Sequence, residues 1–412
     1  MSTSSRPRQS RSSPRPSSSA DTLRQPQVLL GGLSPQAFMR QYWQKKPLLI
    51  RQAVPDVQPP VTRAELFALA EQDDVESRLI VRRGAPGPTR SAAGRSQRAR
   101  AEWQLKRGPM ARRSLPPLGQ PGWTLLVQGL DLHVPAAHDL LQRFRFVPDA
   151  RLDDVMVSYA TDTGGVGPHY DAYDVFLLQV SGRRRWRVGP LRDASLEPDL
   201  PLKILSRFEP EQEWVLEPGD MLYLPPMWGH DGVAEGDDCM TCSVGFRVPE
   251  STALSRELLL RWADELSVPD APRLYKDPRQ PATAEPARVP EALQDFARQA
   301  IERLLRDPGG LLSALGEVLT EPKPHVWFQP GSPLPQGCGV RLDARTRMMY
   351  DDQRVFANGE SWRAAGRDAR MLRELADRRV LSARVVGQAS AALQALLGQW
   401  AEDGWLHPLD AE

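Results

Sequence analysis

From "LDDVMVSYATD" to "CMTCSVGFRVP" the apolar residues fall in short or alternating runs, each cut by Gly, Pro or Asp. That punctuation predicts a β sandwich or barrel over residues 150–248. Turns are expected at Gly164-Gly165, Ser181-Gly182, Pro218-Gly219-Asp220 and Gly236-Asp237-Asp238. Upstream, Ser34-Pro35 is a helix start, with Ser as N-cap and Pro at the first helical position. That helix should reach Trp43, and Pro47 then turns the chain extended through "KKPLLIRQAV". Arg63 to Glu71 reads as a short amphipathic helix, and "VESRLIVRR" and "PGWTLLVQGLDL" as strands. Between those strands, "GAPGPTRSAAGRSQRARAEWQLKRG" is a loop too polar to pack. After Pro249 the period becomes helical, with Leu254, Leu258, Trp262 and Leu266 on one stripe and a second stripe in "EALQDFARQAIERLL". Those stripes suit either a core or a seam between two copies of the chain. "LDARTRMMYDDQRVFANGESW" reads as strand, loop and strand around the Asn358-Gly359 tight turn, followed by two helices.

Composition bounds the function classes. With 412 residues the chain exceeds one ordinary core, so two or three domains are expected. The 53 basic and 52 acidic residues balance to a formal charge of +1, so direct nucleic-acid binding is not expected. No apolar run approaches the roughly 20 residues that span a bilayer, which argues against a membrane partner. Three cysteines are too few for a disulfide framework and point to a reducing, cytoplasmic setting. Residues 1–26 are Ser, Arg and Pro with little to bury, and are read as a disordered tail without a secretory h-region.

The candidate chemistry lies in "GGVGPHYDAYDVFLLQVSGRRRWRVG". His169 and Asp171 are two residues apart, so on an extended segment both leave the same face. Of the six histidines, His230 follows a comparable cue, because Pro225-Pro226 stops the strand in "LEPGDMLYLPPMWGH" just before it. Two imidazoles and a carboxylate on one face of an octahedron leave three positions open, which suits non-haem Fe(II) oxygen chemistry. Zinc is the second reading, although zinc keeps one open position. A chance His-x-Asp pair is the third. Beyond Ser181-Gly182, alternation puts Arg184, Trp186 and Val188 on one face, with Arg183, Arg185 and Arg187 on the other. The first face is the apolar one, so Arg184 points inward and needs an anion. A small dicarboxylate would supply it bidentately, and a salt bridge to a distant Asp or Glu is the alternative.

These segments, with "SVGFR", closely resemble the JmjC-type 2-oxoglutarate oxygenases, specifically the bacterial ribosomal oxygenases. The resemblance extends to "YWQKKPLLIRQA", "GWTLLVQGLDLHVPAAHDLL" and "RLDDVMVSYA", and covers nearly everything after residue 27. It implies a mainly β catalytic core folded as a double-stranded β-helix, the cupin-like jelly roll, over residues 27–249. A helical dimerisation segment (250–320) and a small winged-helix-like domain (321–412) would follow, in a homodimer. His169, Asp171 and His230 would hold Fe(II), with 2-oxoglutarate and O2 as cosubstrates. Arg184, fifteen residues past the first ligand, matches the anchor for the 2-oxoglutarate C5 carboxylate, and Ser158 matches another position of that pocket. The implied reaction is hydroxylation of an arginine β-carbon (C3) in the sixteenth protein of the large ribosomal subunit. The tail and the Arg/Ser loop at 86–101 depart from the family pattern and bear on substrate docking.

Two other readings remain open: a JmjC demethylase sharing the same iron and cosubstrate residues, and a non-catalytic jelly roll that binds ribosomal RNA. Asp162, Asp174 and Asp231 flank the site and are candidates for receiving a cationic substrate side chain, or simply turn formers. "CMTC" places Cys239 and Cys242 on opposite faces of a strand and reads as packing; His325 and His407 have no ligand partner in view.

Overall fold

The computed structural model describes residues 19–84, 88–90, 96–98, 102–264, 273–279, 281–282, 286–306 and 308–409. The first eighteen residues of the expected tail lie outside these. The rest of that tail carries a helical turn, α1 (Ser19–Thr22), and the Leu23 carbonyl accepts the Gln36 N–H at 3.2 Å. Two further helices form where expected: α2 (Pro35–Gln41), capped by Ser34, and α3 (Arg63–Leu69), capped by the reciprocal Thr62–Glu65 pair. A fourth, α4 (Pro135–Gln142), covers "PAAHDLLQ".

The chain divides into two units, Met1–Val147 with Leu152–Phe246, and Pro148–Arg151 with Arg247–Glu412. The first is a ten-stranded antiparallel sheet. Its strands are β1 (Leu48–Ile50), β2 (Ser77–Arg83), β5 (Glu102–Arg107), β6 (Trp123–Val127), β7 (Leu152–Ala160), β8 (His169–Tyr170), β9 (Val175–Pro190), β10 (Gln212–Leu216), β11 (Met221–Leu224) and β12 (Trp228–Phe246). The order is β1-β11-β9-β12-β7-β6-β2-β5, with β10 on β9 and β8 on β12. The Arg/Ser segment is not all loop: β3 (Pro88–Arg90) and β4 (Ser96–Arg98) pair as a short hairpin. Residues 85–87, 91–95 and 99–101 lie outside the described residues.

Two side-chain layers follow from the alternation. The outer face packs Leu125, Val157, Tyr159, Phe176, Leu178, Tyr223 and Met240 against Phe38, Phe67 and Phe144 of the helical layer. Phe38 meets the Tyr223 ring edge-on at 4.9 Å. Each such buried side chain contributes roughly 1.5–3 kcal/mol. The inner face carries a smaller apolar cluster of Val175, Leu177, Trp186, Val188, Leu216, Leu222 and Leu224.

One local expectation fails. Ser181-Gly182 does not turn a hairpin; β9 continues through it and pairs with β12 on both sides. Gly182 adopts φ +62°, and a Cβ there would sit 2.9 Å from the Cys239 Cα, so the two backbones nearly touch. The facing part of β12 breaks register between Glu235 and Met240, where Gly236 and Asp238 also have positive φ, so the turn expected there is a bulge. Both strands change parity at this corner. On β9 the odd residues Val175 and Leu177 face inward before it, and the even residues Trp186 and Val188 after it.

The second unit holds α5 (Ser251–Asp264), α6 (Glu291–Leu305) and α7 (Pro308–Thr320), then two three-stranded sheets and helices α8 (Gly366–Arg378), α9 (Ala383–Val386) and α10 (Ala391–Glu402). Its core comprises Val340, Val355, Leu372, Leu375, Leu397 and Trp400. Asn358 and Gly359, both at positive φ, join the strands Arg354–Ala357 and Glu360–Arg363 as the tight turn read from the sequence.

Candidate metal centre

The three expected ligands converge. His169 on β8 stands directly across from His230 on β12, and Asp171 follows at the end of β8. The glycines leading into β8 make this approach feasible. Thr163 N–H donates to the Ala234 carbonyl and Ala234 N–H to the Gly164 carbonyl, fastening the loop to β12. A Cβ on Gly165 would lie 2.4 Å from the Gly232 carbonyl oxygen, so only glycine fits.

One ligand atom from each of the three residues lies within 4.8 Å of the others. His230 Nε2 is 3.6 Å from Asp171 Oδ2, and the two imidazole centroids are 4.2 Å apart. Bonds of about 2 Å can meet at one ion after small side-chain rotations. Each imidazole also has its outer nitrogen committed: His169 Nδ1 to the Gly167 carbonyl at 2.8 Å, His230 Nδ1 to the Trp228 carbonyl at 3.0 Å. A carbonyl only accepts, so Nδ1 carries the proton and the Nε2 lone pair is left for a metal. Burial, then the neighbouring His169, pushes the His230 pKa down to about 4, which keeps that lone pair available at neutral pH. Among the described residues this is the one group of three metal-binding side chains that converges.

Arg184 points into the same interior as expected and is 4% exposed. Its Nε donates to Cys239 Sγ at 3.5 Å, its guanidinium lies 5.8 Å from the Trp186 ring, and its Nη2 has no hydrogen-bond partner. No carboxylate among the described residues pairs with it, which disposes of the structural salt bridge considered above. The other three arginines face outward and find acids on neighbouring strands: Arg185 bonds Glu213 and Glu235, Arg187 bonds Asp231, and Arg183 approaches Glu235 at 3.9 Å. Ser158 is buried on the inner face of β7, where its Oγ lies 3.4 Å from the Thr241 carbonyl.

Each of the three flanking acids has a partner within the protein. Asp174 is fully buried and accepts from the Tyr223 hydroxyl at 2.6 Å and Gln44 Nε2 at 3.0 Å. Asp231, next to His230, is spent on Arg187. Asp162 accepts the Gly236 N–H at 2.8 Å and so shapes the corner. Two further acids act on Tyr173, and one of them, Asp154, is buried and accepts the Gly129 N–H at 3.0 Å. Enclosure of the Tyr173 hydroxyl, then the charges of Asp171 and Asp154, raises its pKa, although the residue as a whole is 41% exposed. Asp154 sits four residues before Ser158 on the same face of β7. Cys239 reads as packing in the sequence because its face depends on the bulge. It touches Arg184 Nε and Gln179 Nε2.

His407 bonds Asp343 at 2.8 Å within the second unit. The three cysteines are free thiols.

Comparison with known proteins agrees with this geometry. Residues 139–254 match the JmjC domain and residues 303–407 the ROXA-like winged helix. The chain is 34% identical over 368 residues to the ribosomal protein uL16 3-hydroxylase of Escherichia coli, covering 85% of this chain and 91% of that protein. It is 38% identical over 225 residues to a probable ribosomal oxygenase of Haemophilus influenzae, covering 54% and 52%. The solved structure of YcfD, a ribosomal oxygenase from Escherichia coli, in complex with cobalt and 2-oxoglutarate superposes with a TM-score of 0.73 at 30% identity, covering 91% of this chain and 98% of that one. With its catalytic sheet, ligand triad and winged helix all in place, this chain belongs to the JmjC-domain ribosomal oxygenases.

Proposed function

We propose that this protein is an Fe(II)- and 2-oxoglutarate-dependent hydroxylase acting on an arginine β-carbon of ribosomal protein uL16. The observation that carries the reading is Arg184: a buried cation with no protein anion, on the inner face that also holds the His169–Asp171–His230 cluster. An uncompensated charge of this kind costs several kcal/mol, and a diacid whose other end reaches the metal would offset it. The donor set also fits the group. Two neutral imidazoles and one carboxylate suit ferrous iron and leave positions open.

When bound, iron and 2-oxoglutarate supply the oxidising power that places one atom of dioxygen on an unactivated C–H bond. The chain's own residues do the rest. His169, Asp171 and His230 would hold the ion, with backbone carbonyls fixing both imidazole orientations. Arg184 would fix the far carboxylate, and Ser158 would line the same pocket. Selectivity then depends on holding one carbon near the metal.

Exposed Leu259, Leu260, Ile301, Leu305 and Leu312 on the three helices after Phe246 support a seam with a second copy of the chain. Among the described residues no helix is long and apolar enough to cross a membrane. Together with three free thiols and a ribosomal substrate, this supports work in the cytoplasm.

The test is intact-mass analysis of ribosomal proteins incubated with enzyme, iron, ascorbate and 2-oxoglutarate. One added oxygen on uL16, lost with His169→Ala, is expected. Loss of methyl groups in place of gained oxygen would favour the demethylase. Absence of succinate, with RNA binding unchanged in His169→Ala, would favour the binding module.

A further inference from the structure

The near balance of charge over the whole chain conceals an uneven distribution. Residues 78–113 carry eleven of the 53 basic residues, ten of them arginine, and one of the 52 acidic ones. The remainder is therefore net acidic, and this stretch stands out as attractive to a polyanion. Part of it forms a defined surface. β2 and β5 pair antiparallel, with Leu79 opposite Lys106, Val81 opposite Gln104 and Arg83 opposite Glu102. Side chains opposite one another in a ladder share a face. Leu79 and Val81 enter the core, and Arg83, Gln104 and Lys106 carry the same face out to solvent. Ser114, Pro116 and Gln120 close over that face and leave a cavity of about 210 Å³. Arg83 and Lys106 are exposed, and among the described residues neither pairs with a carboxylate. Glu102 stands opposite Arg83 but accepts from Gln104 Nε2 at 3.3 Å. Two unspent cations beside a polar hollow suit a phosphate group, which a guanidinium grips bidentately. Arg107, Arg112 and Arg113 follow closely in the chain and are also exposed, so several phosphates in a row would be met. The other face of the same strand pair carries Trp103, whose ring lies 5.9 Å from the Arg82 guanidinium. A Cβ on Gly167 would come within 3.2 Å of that ring, so this strand pair backs onto the loop leading to His169.

We propose that the β2–β5 edge is an RNA-docking surface, with one backbone phosphate seated between Arg83 and Lys106. The dominance of arginine over lysine favours phosphodiesters over carboxylates, and a strand pair lacks the amphipathic helix with which a protein lies on a membrane. The proposal is independent of the metal and cosubstrate reading above.

The measurement is fluorescence anisotropy of a labelled single-stranded RNA of mixed sequence, titrated with the full chain over a series of KCl concentrations. Wild type should bind, with an affinity that falls as salt rises. The double variant Arg83→Gln/Lys106→Gln removes two phosphate contacts from exposed positions, and a thermal melt confirms that it folds as wild type does. It should bind about tenfold more weakly at low salt and flatten the slope of log K against log salt by about 1.4. The control Arg192→Gln/Arg207→Gln removes the same charge from exposed positions elsewhere and should leave affinity and slope nearly unchanged. Equal losses in the two double variants would mean that net charge alone is at work, and would overturn the proposal. So would a wild type that does not bind RNA. Competition by polyglutamate, or by vesicles of anionic phospholipid, as effective as that of unlabelled RNA would overturn it as well.

Discussion

Replacing Arg184 by methionine should make the ligand-free protein more stable and blind to 2-oxoglutarate. The residue is 4% exposed, has no carboxylate partner among the described residues, and makes only a weak contact from Nε to a thiol sulfur and an approach of 5.8 Å to the Trp186 ring. Methionine fills a similar volume and removes the charge. Exchanging buried charge for apolar side chains of similar volume stabilises by about 1–4 kcal/mol, so a gain of about 2 kcal/mol is expected. For a domain of this size that corresponds to a rise of roughly 5 °C in Tm. Wild type in contrast should gain stability from ligand, about 2.7 kcal/mol at a concentration one hundred times Kd. The assay is a pair of thermal melts of the Mn(II)-loaded protein, with and without 2-oxoglutarate. Wild type should shift and Arg184→Met should not. If Arg184→Met instead melts several degrees below wild type without ligand, the guanidinium has a structural partner and the anchor argument is refuted.

Three further outcomes follow from the same geometry. Asp174→Ala leaves the buried Tyr223 hydroxyl without its acceptor, so it should destabilise by about 1–3 kcal/mol in urea unfolding, while the folded fraction keeps its substrate KM; a raised KM at unchanged stability would favour Asp174 as a substrate-site residue. Gly232→Ala puts a methyl 2.6 Å from the Trp186 ring, which lies 5.9 Å from the His230 ring. Overpacking should cost about 1–3 kcal/mol and weaken Mn(II) binding in a titration, whereas wild-type stability and affinity would show that the ring moves freely. The Asp220 carboxyl is held below its usual pKa: burial works against this, but the backbone N–H groups of Gln52 and Glu217 and the Arg51 guanidinium outweigh it. A depressed folded pKa means that the stabilisation is present above pH 3.8 and is lost as pH falls through the folded value. The stability gap between wild type and Asp220→Asn should therefore be widest near neutrality and close in acid; a gap independent of pH would contradict this.

Much of the site was legible because its signals are local. His169 and Asp171 are two residues apart, Arg184 alternates with Trp186 and Val188, and each relation holds on any extended strand. The same logic marked Ser34 as a helix start, and its cap formed. The partners of the flanking acids were not legible in the same way. Asp162, Asp174 and Asp231 are near the ligands along the chain, but alternation and long-range partners such as Tyr223 and Arg187 turn them to other uses.

The sequence by itself therefore determined which side chains carry chemistry and which faces of each strand they share, because a strand's period of two is written residue by residue. Only the tertiary structure decided the rest. The bulge at Gly236–Asp238 and the corner at Gly182 reverse the parity of both long strands, bringing Cys239 beneath Arg184. The pairing of β8 with β12 brings His230 across from His169, and the absence of an acid beside Arg184 among the described residues follows from how the neighbouring strands pack. Register shifts and long-range pairings depend on how separate segments fit together, and spacing along a chain does not encode distance in space.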